Sequence, residues 1–174
     1  MPDLPAAALE ALRTRTTRVF PEQIRSCVAP LTDEQIWWRP NESSNSIGNL
    51  LLHLTGSLNH YLNRGVGGFD YQRDRPAEFS ERRPIPKEQL LAAFEAMVTK
   101  AEQTFAALTP ERLSDPSPEP NLHSLLFEDL FAVAVHLSNH TGQIVWIAKM
   151  LHEGGAGEIW IRTHREAGAR KRSG

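Results

Sequence analysis

Four long stretches of this chain carry apolar residues at the spacing of an α-helical turn, and the period-two alternation of a half-buried strand is almost absent. The first runs from about Ala6 to Val28, with Leu9, Leu12, Val19, Phe20 and Ile24 on one broad face, and Pro21 predicts a kink or split. The second starts at Ser46, a good N-cap, and runs to about Asn63 with Ile47, Leu50, Leu51, Leu54, Leu58 and Tyr61 as its stripe. The third, from Pro86 in its first turn to Leu108, aligns Leu90, Phe94, Met97, Val98, Ala101 and Phe105. The fourth, from about Ser124 to Leu151, contains "LFAVAVHL", apolar on all sides and therefore expected to be the most buried element. Thr32 followed by Gln35 predicts a capped helical turn before Pro40.

Helices with little strand signal predict an all-α fold, a four-helix bundle with long connecting loops. The polar connection over 64–84 and the Pro-rich one over 109–121 leave room for a crossover, and loops of such length often help to build sites. The 174 residues suit one domain over 1–161, followed by a basic tail over 162–174 that lacks periodicity and is expected to be disordered.

Nineteen basic and 21 acidic residues leave a net charge of −2, which argues against nucleic-acid binding, since that needs a basic field. No apolar run approaches the ~20 residues that span a bilayer, so no membrane association is expected. The first twenty residues lack the apolar core of a signal peptide, and a soluble, cytoplasmic protein follows as the expectation. With Cys27 as the sole cysteine, neither an intrachain disulfide nor a cysteine-based zinc site can form.

The chemistry lies in "VAVHLSNHTGQIVWIAKML", residues 133–151. His136 and His140 stand four apart, about 40° from each other around a helix, so both imidazoles can reach one ion. Polar groups in so apolar a run need a partner. A metal is one reading and a hydrogen-bonded pair of core histidines is the other. The second helix offers His53 as a third ligand on a narrow polar stripe with Asn49, Ser57 and His60. His60 is read as facing water, and His123, His152 and His164 as surface residues of loops or tail. The chain has no HExxH, no ExxH pair on two helices, no Walker loop, no GxGxxG and no nucleophile elbow.

"WWRPNESSNSIGNLLLHLTG" and "HLSNHTGQIVWIAKML", with "RDRPAEF" at 73–79, resemble the DinB-like superfamily, which includes YfiT-type metal-dependent hydrolases. The likeness covers roughly residues 15–160 and is nearest to a branch known as a domain of unknown function. It implies a four-helix bundle that holds a divalent metal, Zn or Ni, through His53, His136 and His140. It also implies frequent homodimers, and relatives that use low-molecular-weight thiols such as bacillithiol or mycothiol in S-transfer or isomerisation.

Three neutral ligands leave a coordination position open, and the ion can acidify a bound thiol or water. Gln143 and Asn49, a turn or so from ligands, are candidate hydrogen-bonding groups for the ligands or the substrate. Arg73, Arg75 and Trp38 are candidate walls of a thiol pocket. No carboxylate is placed by sequence as a general base, which favours thiol transfer over hydrolysis; a non-catalytic metal- or ligand-binding stress protein is the remaining class. Trp37, Trp146 and Trp160 are more aromatic surface than a small bundle easily hides. With the family's habit, they predict a homodimer acting on a small-molecule substrate.

Overall fold

The computed structural model describes residues 3–119 and 122–152. The boundary at 161, the basic tail, Trp160 and His164 lie outside them.

The first long stretch is one continuous helical rod in three parts. Helix α1, Leu4–Thr14, passes through a π-helical turn, Arg15–Val19, into α2, Phe20–Val28. Pro21 explains the turn: it cannot donate to the carbonyl four residues back, and its ring would strike that carbonyl in α-helical register. The chain widens by one residue there, and the Phe20 N–H bonds the Arg15 carbonyl. A turn later comes α3, Asp33–Trp37, with the expected reciprocal cap between Thr32 and Gln35.

Helix α4, Ile47–Leu58, starts from a second reciprocal cap, Ser46 with Asn49, and ends in a π-helical turn, Asn59–Arg64. It is the buried centre of the fold: Ile47, Leu50, Leu51, Leu54 and Leu58 are all shut off from solvent. The polar connection after it is not all loop. Asp74 caps the Ala77 N–H at 3.1 Å and opens a short helix α5, Arg75–Ser80, which packs on α4. Helix α6, Lys87–Ala106, lies along the other side of α4. Arg25 clamps Glu95 at 2.5 and 2.7 Å and Arg13 pairs with Glu102, tying the first rod to α6. After a 3₁₀ turn at Pro110–Ser114 the chain enters α7, Leu126–Leu151, which packs against α2 and α4.

Helices joined by loops make up the described residues, with no strand beyond an isolated bridge between Pro116 and Leu125, and they include more helical segments than the four expected. The extra ones come from local capping in the connections and from the division of the first rod. None of the described helices is long and apolar enough to cross a membrane.

The apolar middle of α7 differs from expectation. Leu130 and Leu137 are buried, but Phe131 is 53% and Val135 42% exposed. A helix at the side of a bundle has only part of its circumference covered by neighbours. The outward residues Phe127, Phe131, Val135, Trp146 and Met150 leave an apolar stripe on the surface. Trp37, by contrast, is spent internally: its indole N–H donates to the Ile85 carbonyl at 3.0 Å and its ring lies against Gly48.

Candidate metal centre

The reciprocal cap at the start of α4 sets the site's geometry. Asn49 Oδ1 faces Ser46, which leaves the Asn49 amide nitrogen to donate to the carbonyls of Glu78 and Glu81, each at 3.1 Å. Asn49 therefore anchors α5 on α4 and is buried in doing so. One turn further on, His53 emerges beneath α5.

The docking of α5 lowers the Glu78 side chain onto His53. The His53 Nδ1–H donates to Glu78 Oε2 at 2.8 Å, and Arg73 grips the same carboxylate from Nε and Nη2 at 2.7 and 2.8 Å. Gly56 makes the close approach possible, because a Cβ there would collide with the Glu78 carboxylate. Burial alone would push the Glu78 pKa up, but the hydrogen bonds from Arg73 and His53 outweigh it and the carboxyl is held below its usual range. The group stays ionised and can only accept.

With Nδ1 of His53 occupied, its Nε2 points the other way and lies 2.9 Å from His136 Nε2. His140 is oriented alike: Gln143 Oε1 stands 3.0 Å from its Nδ1, which leaves Nε2 for the cluster. The three rings meet edge to face with centroids 4.6 to 4.9 Å apart. One nitrogen from each lies within 4.8 Å of the others.

The donors are of the right kind for an ion. Burial, followed by the charges of His140 and His53, brings the His136 pKa down to about 4, and burial lowers that of His53 against the pull of Glu78. Both imidazoles are therefore neutral, as metal ligands must be. The far nitrogens of His53 and His140 are held by a carboxylate and an amide, the outer support that fixes ligand orientation in metal sites. Borderline-soft nitrogen donors in this number suit Zn, Ni, Cu or Fe better than Mg or Ca.

The cluster opens on a cavity of ≈ 490 Å³ whose other walls include Tyr61, Arg73, Arg75, Phe79, His123 and Asp129. Arg75 lies over the Phe79 ring, its guanidinium carbon 5.4 Å from the centroid. Of the expected wall residues, Arg73 and Arg75 line this cavity, and Trp38 is not among its lining residues.

The other histidines divide. His60 stays out of the cluster and packs edge-on against Tyr61 at 4.8 Å. His152 is exposed, as a surface residue should be. His123 is no bystander: its Nδ1 lies 2.6 Å from Asp129 Oδ1, and both residues line the cavity. Glu78 escaped the sequence reading because its partners are 5 and 25 residues away in sequence, although "RDRPAEF" had drawn notice as a string. Cys27 is excluded from the chemistry. It is buried, and desolvation, only partly countered by Lys149, raises its thiol to about 11.

A family model of the DinB superfamily matches residues 8–144. The chain belongs to the DinB superfamily. No curated protein matches it significantly. The span matched in this DinB superfamily member includes His53, Glu78, His136 and His140.

Proposed function

We propose that this DinB superfamily member is a metal-dependent enzyme in which His53, His136 and His140 hold one divalent ion, Zn or Ni, at the wall of the cavity. The observation that carries this is the convergence of three imidazole nitrogens within 4.8 Å at the edge of a ≈ 490 Å³ space. A bound ion with an open position would make a thiol or a water acidic enough to be a nucleophile near neutral pH.

The chain's own residues do the rest. Glu78 and Gln143 hold the His53 and His140 rings so that Nε2 faces the ion. Arg73 is neutralised by Glu78, which leaves Arg75 as the wall cation able to attract an anionic group. Phe79, Leu122 and Val133 give the cavity apolar walls.

Thiol S-transfer is the reading we favour. Glu78, the carboxylate nearest the cluster, is committed to Arg73 and His53 and cannot serve as a free base. Cys27 is unreactive, so a thiol nucleophile would come from a low-molecular-weight cofactor. Metal-dependent hydrolysis is the second reading, and the His123–Asp129 pair in the cavity favours it. We also assign the protein to the cytoplasm and read it as a homodimer. Its interface would be the α7 stripe of Phe131, Val135 and Trp146 with small Ser138 and Gly142 between them, beside the buried Gln23 amide, which has no hydrogen-bond partner among the described residues.

The test is metal analysis of natively purified protein, followed by loading with Zn²⁺ or Ni²⁺ and a screen of bacillithiol, mycothiol and glutathione against electrophilic substrates. One ion per chain and metal-dependent loss of free thiol are expected. Protein that takes up no stoichiometric metal would overturn the reading.

A further inference from the structure

The cavity contains a second set of polar groups that the metal cluster does not use. Asp129 lies in the first turn or so of α7, where the positive end of the helix dipole favours a carboxylate. It is buried, its Oδ1 is 2.6 Å from His123 Nδ1, and its Oδ2 has no partner among the described residues. Asp129 precedes His136 by seven residues, so it sits about 10 Å along the axis at nearly the same azimuth. The dyad thus faces the same space as the cluster, from the far end of the same helix face.

His123 is held there from both sides. The Leu126 N–H bonds Asp115 O at 2.9 Å, the Ser117 N–H bonds Ser124 O at 3.1 Å, and the His123 N–H reaches Glu119 O at 3.2 Å. Glu128 is taken up by the backbone N–H groups of Ser124 and Leu125 at 2.7 and 3.0 Å. With Nδ1 engaged and its side chain 30% exposed at the cavity wall, His123 has Nε2 left to meet a ligand. The other charged or titratable groups of the wall are the three clustered histidines, Tyr61, Arg73 and Arg75. Of these, the histidines are committed to the cluster and a guanidinium does not give up its proton.

We propose that His123, oriented by Asp129, is the proton donor to the leaving group in this cavity, which assigns the substrate class as a molecule whose leaving atom is a poor one, an alkoxide or thiolate that needs a proton. This rests on the enzymatic reading above. The nucleophile's sulfur or oxygen supplies the electron pair of the new bond to the electrophilic carbon. The bond from that carbon to the leaving atom breaks with its pair going to that atom, which takes the Nε2 proton of the His123 imidazolium. Neutral His123 then regains a proton from solvent, and Asp129 stabilises the charged ring throughout.

Two measurements on the full chain decide it. The first is the rate at which diethyl pyrocarbonate modifies each histidine of the metal-loaded protein, followed by peptide mass. His123 should react, and Asp129→Asn should change that rate severalfold. An inert His123, or one indifferent to Asp129→Asn, overturns the dyad. The second compares cleavage of phenyl acetate and 4-nitrophenyl acetate, with water or dithiothreitol as nucleophile, in wild type and His123→Gln. The variant should lose roughly 100-fold on the poor leaving group, phenol, and far less on nitrophenol. Equal loss on both esters sinks proton donation while leaving the metal reading intact. Wild type with no metal-dependent turnover of either ester overturns the ester-cleaving form of the functional reading instead, and the pyrocarbonate result alone then decides the dyad.

Discussion

His53 Nδ1 and Glu78 Oε2 are 2.8 Å apart, and the same carboxylate is held by Arg73 through two further hydrogen bonds. The ring that presents Nε2 to the cluster is therefore oriented by a buried acid whose hydrogen bonds to Arg73 and His53 favour its ionised form. Replacing that acid by an amide keeps the shape and removes the charge. Glu78→Gln should weaken Zn²⁺ binding by about 10- to 100-fold, the usual cost of losing such support. Calorimetric titration would show it; an unchanged affinity would mean that Glu78 serves the fold alone.

Gly56 gives an independent approach to the same contact. In an ordinary helix interior Gly→Ala stabilises by about 1 kcal/mol. Here the new methyl would occupy the space of the Glu78 carboxylate. Gly56→Ala should thus destabilise the protein and reproduce the metal-affinity loss of Glu78→Gln, and thermal melts with metal titrations of the two variants check both halves.

Two histidines separate ligand from bystander. His140→Ala should abolish tight Zn²⁺ and Ni²⁺ binding and, because the helices pack through their apolar faces, leave the fold standing. His60→Ala removes a ring that packs on Tyr61 outside the cluster, and should leave metal affinity unchanged with a stability cost of ~0.5 kcal/mol or less. Metal-tight His140→Ala, or His60→Ala without metal, would show the ligand assignment to be wrong.

The metal-free protein should lose stability in mild acid. The folded chain holds His136 near a pKa of about 4, against an ordinary value of 6.5. Between those values the unfolded chain binds a proton that the folded chain refuses, so stability is fully present above about pH 6.5 and declines as pH falls toward 4. Burial of His53 acts in the same sense. Melting curves across this range should show the decline, and His136→Gln should flatten it.

Oligomeric state can be read by light scattering. At micromolar concentration the mass should be twice the 19.5 kDa of one chain. Trp146, 60% exposed, is the residue whose replacement by Asp should return it to the monomer value. A wild-type monomer would remove the α7 stripe from consideration as an interface between copies.

Much of the fold was legible in the sequence because helices are local objects. The stripes on α4, α6 and α7 follow from spacing along one chain segment, as do the caps at Thr32 and Ser46 and the disturbance before Pro21. The His136/His140 pair is legible for the same reason: four residues make one turn. That His53 joins them, 83 residues from His136, was suggested by the polar stripe of its helix and by the resemblance, and needed α4 and α7 to pack face to face.

Tertiary structure alone decided the rest. Glu78 and Arg73 reach His53 because Asn49 docks a six-residue helix over Gly56, a set of contacts with no sequence period. His123 reads as a loop residue until Asp129, one helix entry away, turns it toward the cavity. The outward face of α7 also escaped periodicity: an all-apolar run says that a helix dislikes water on every side, not which side its own bundle covers. Spacing encodes what one turn of backbone brings together, whereas the cluster, its acid and the cavity arise where separate helices meet.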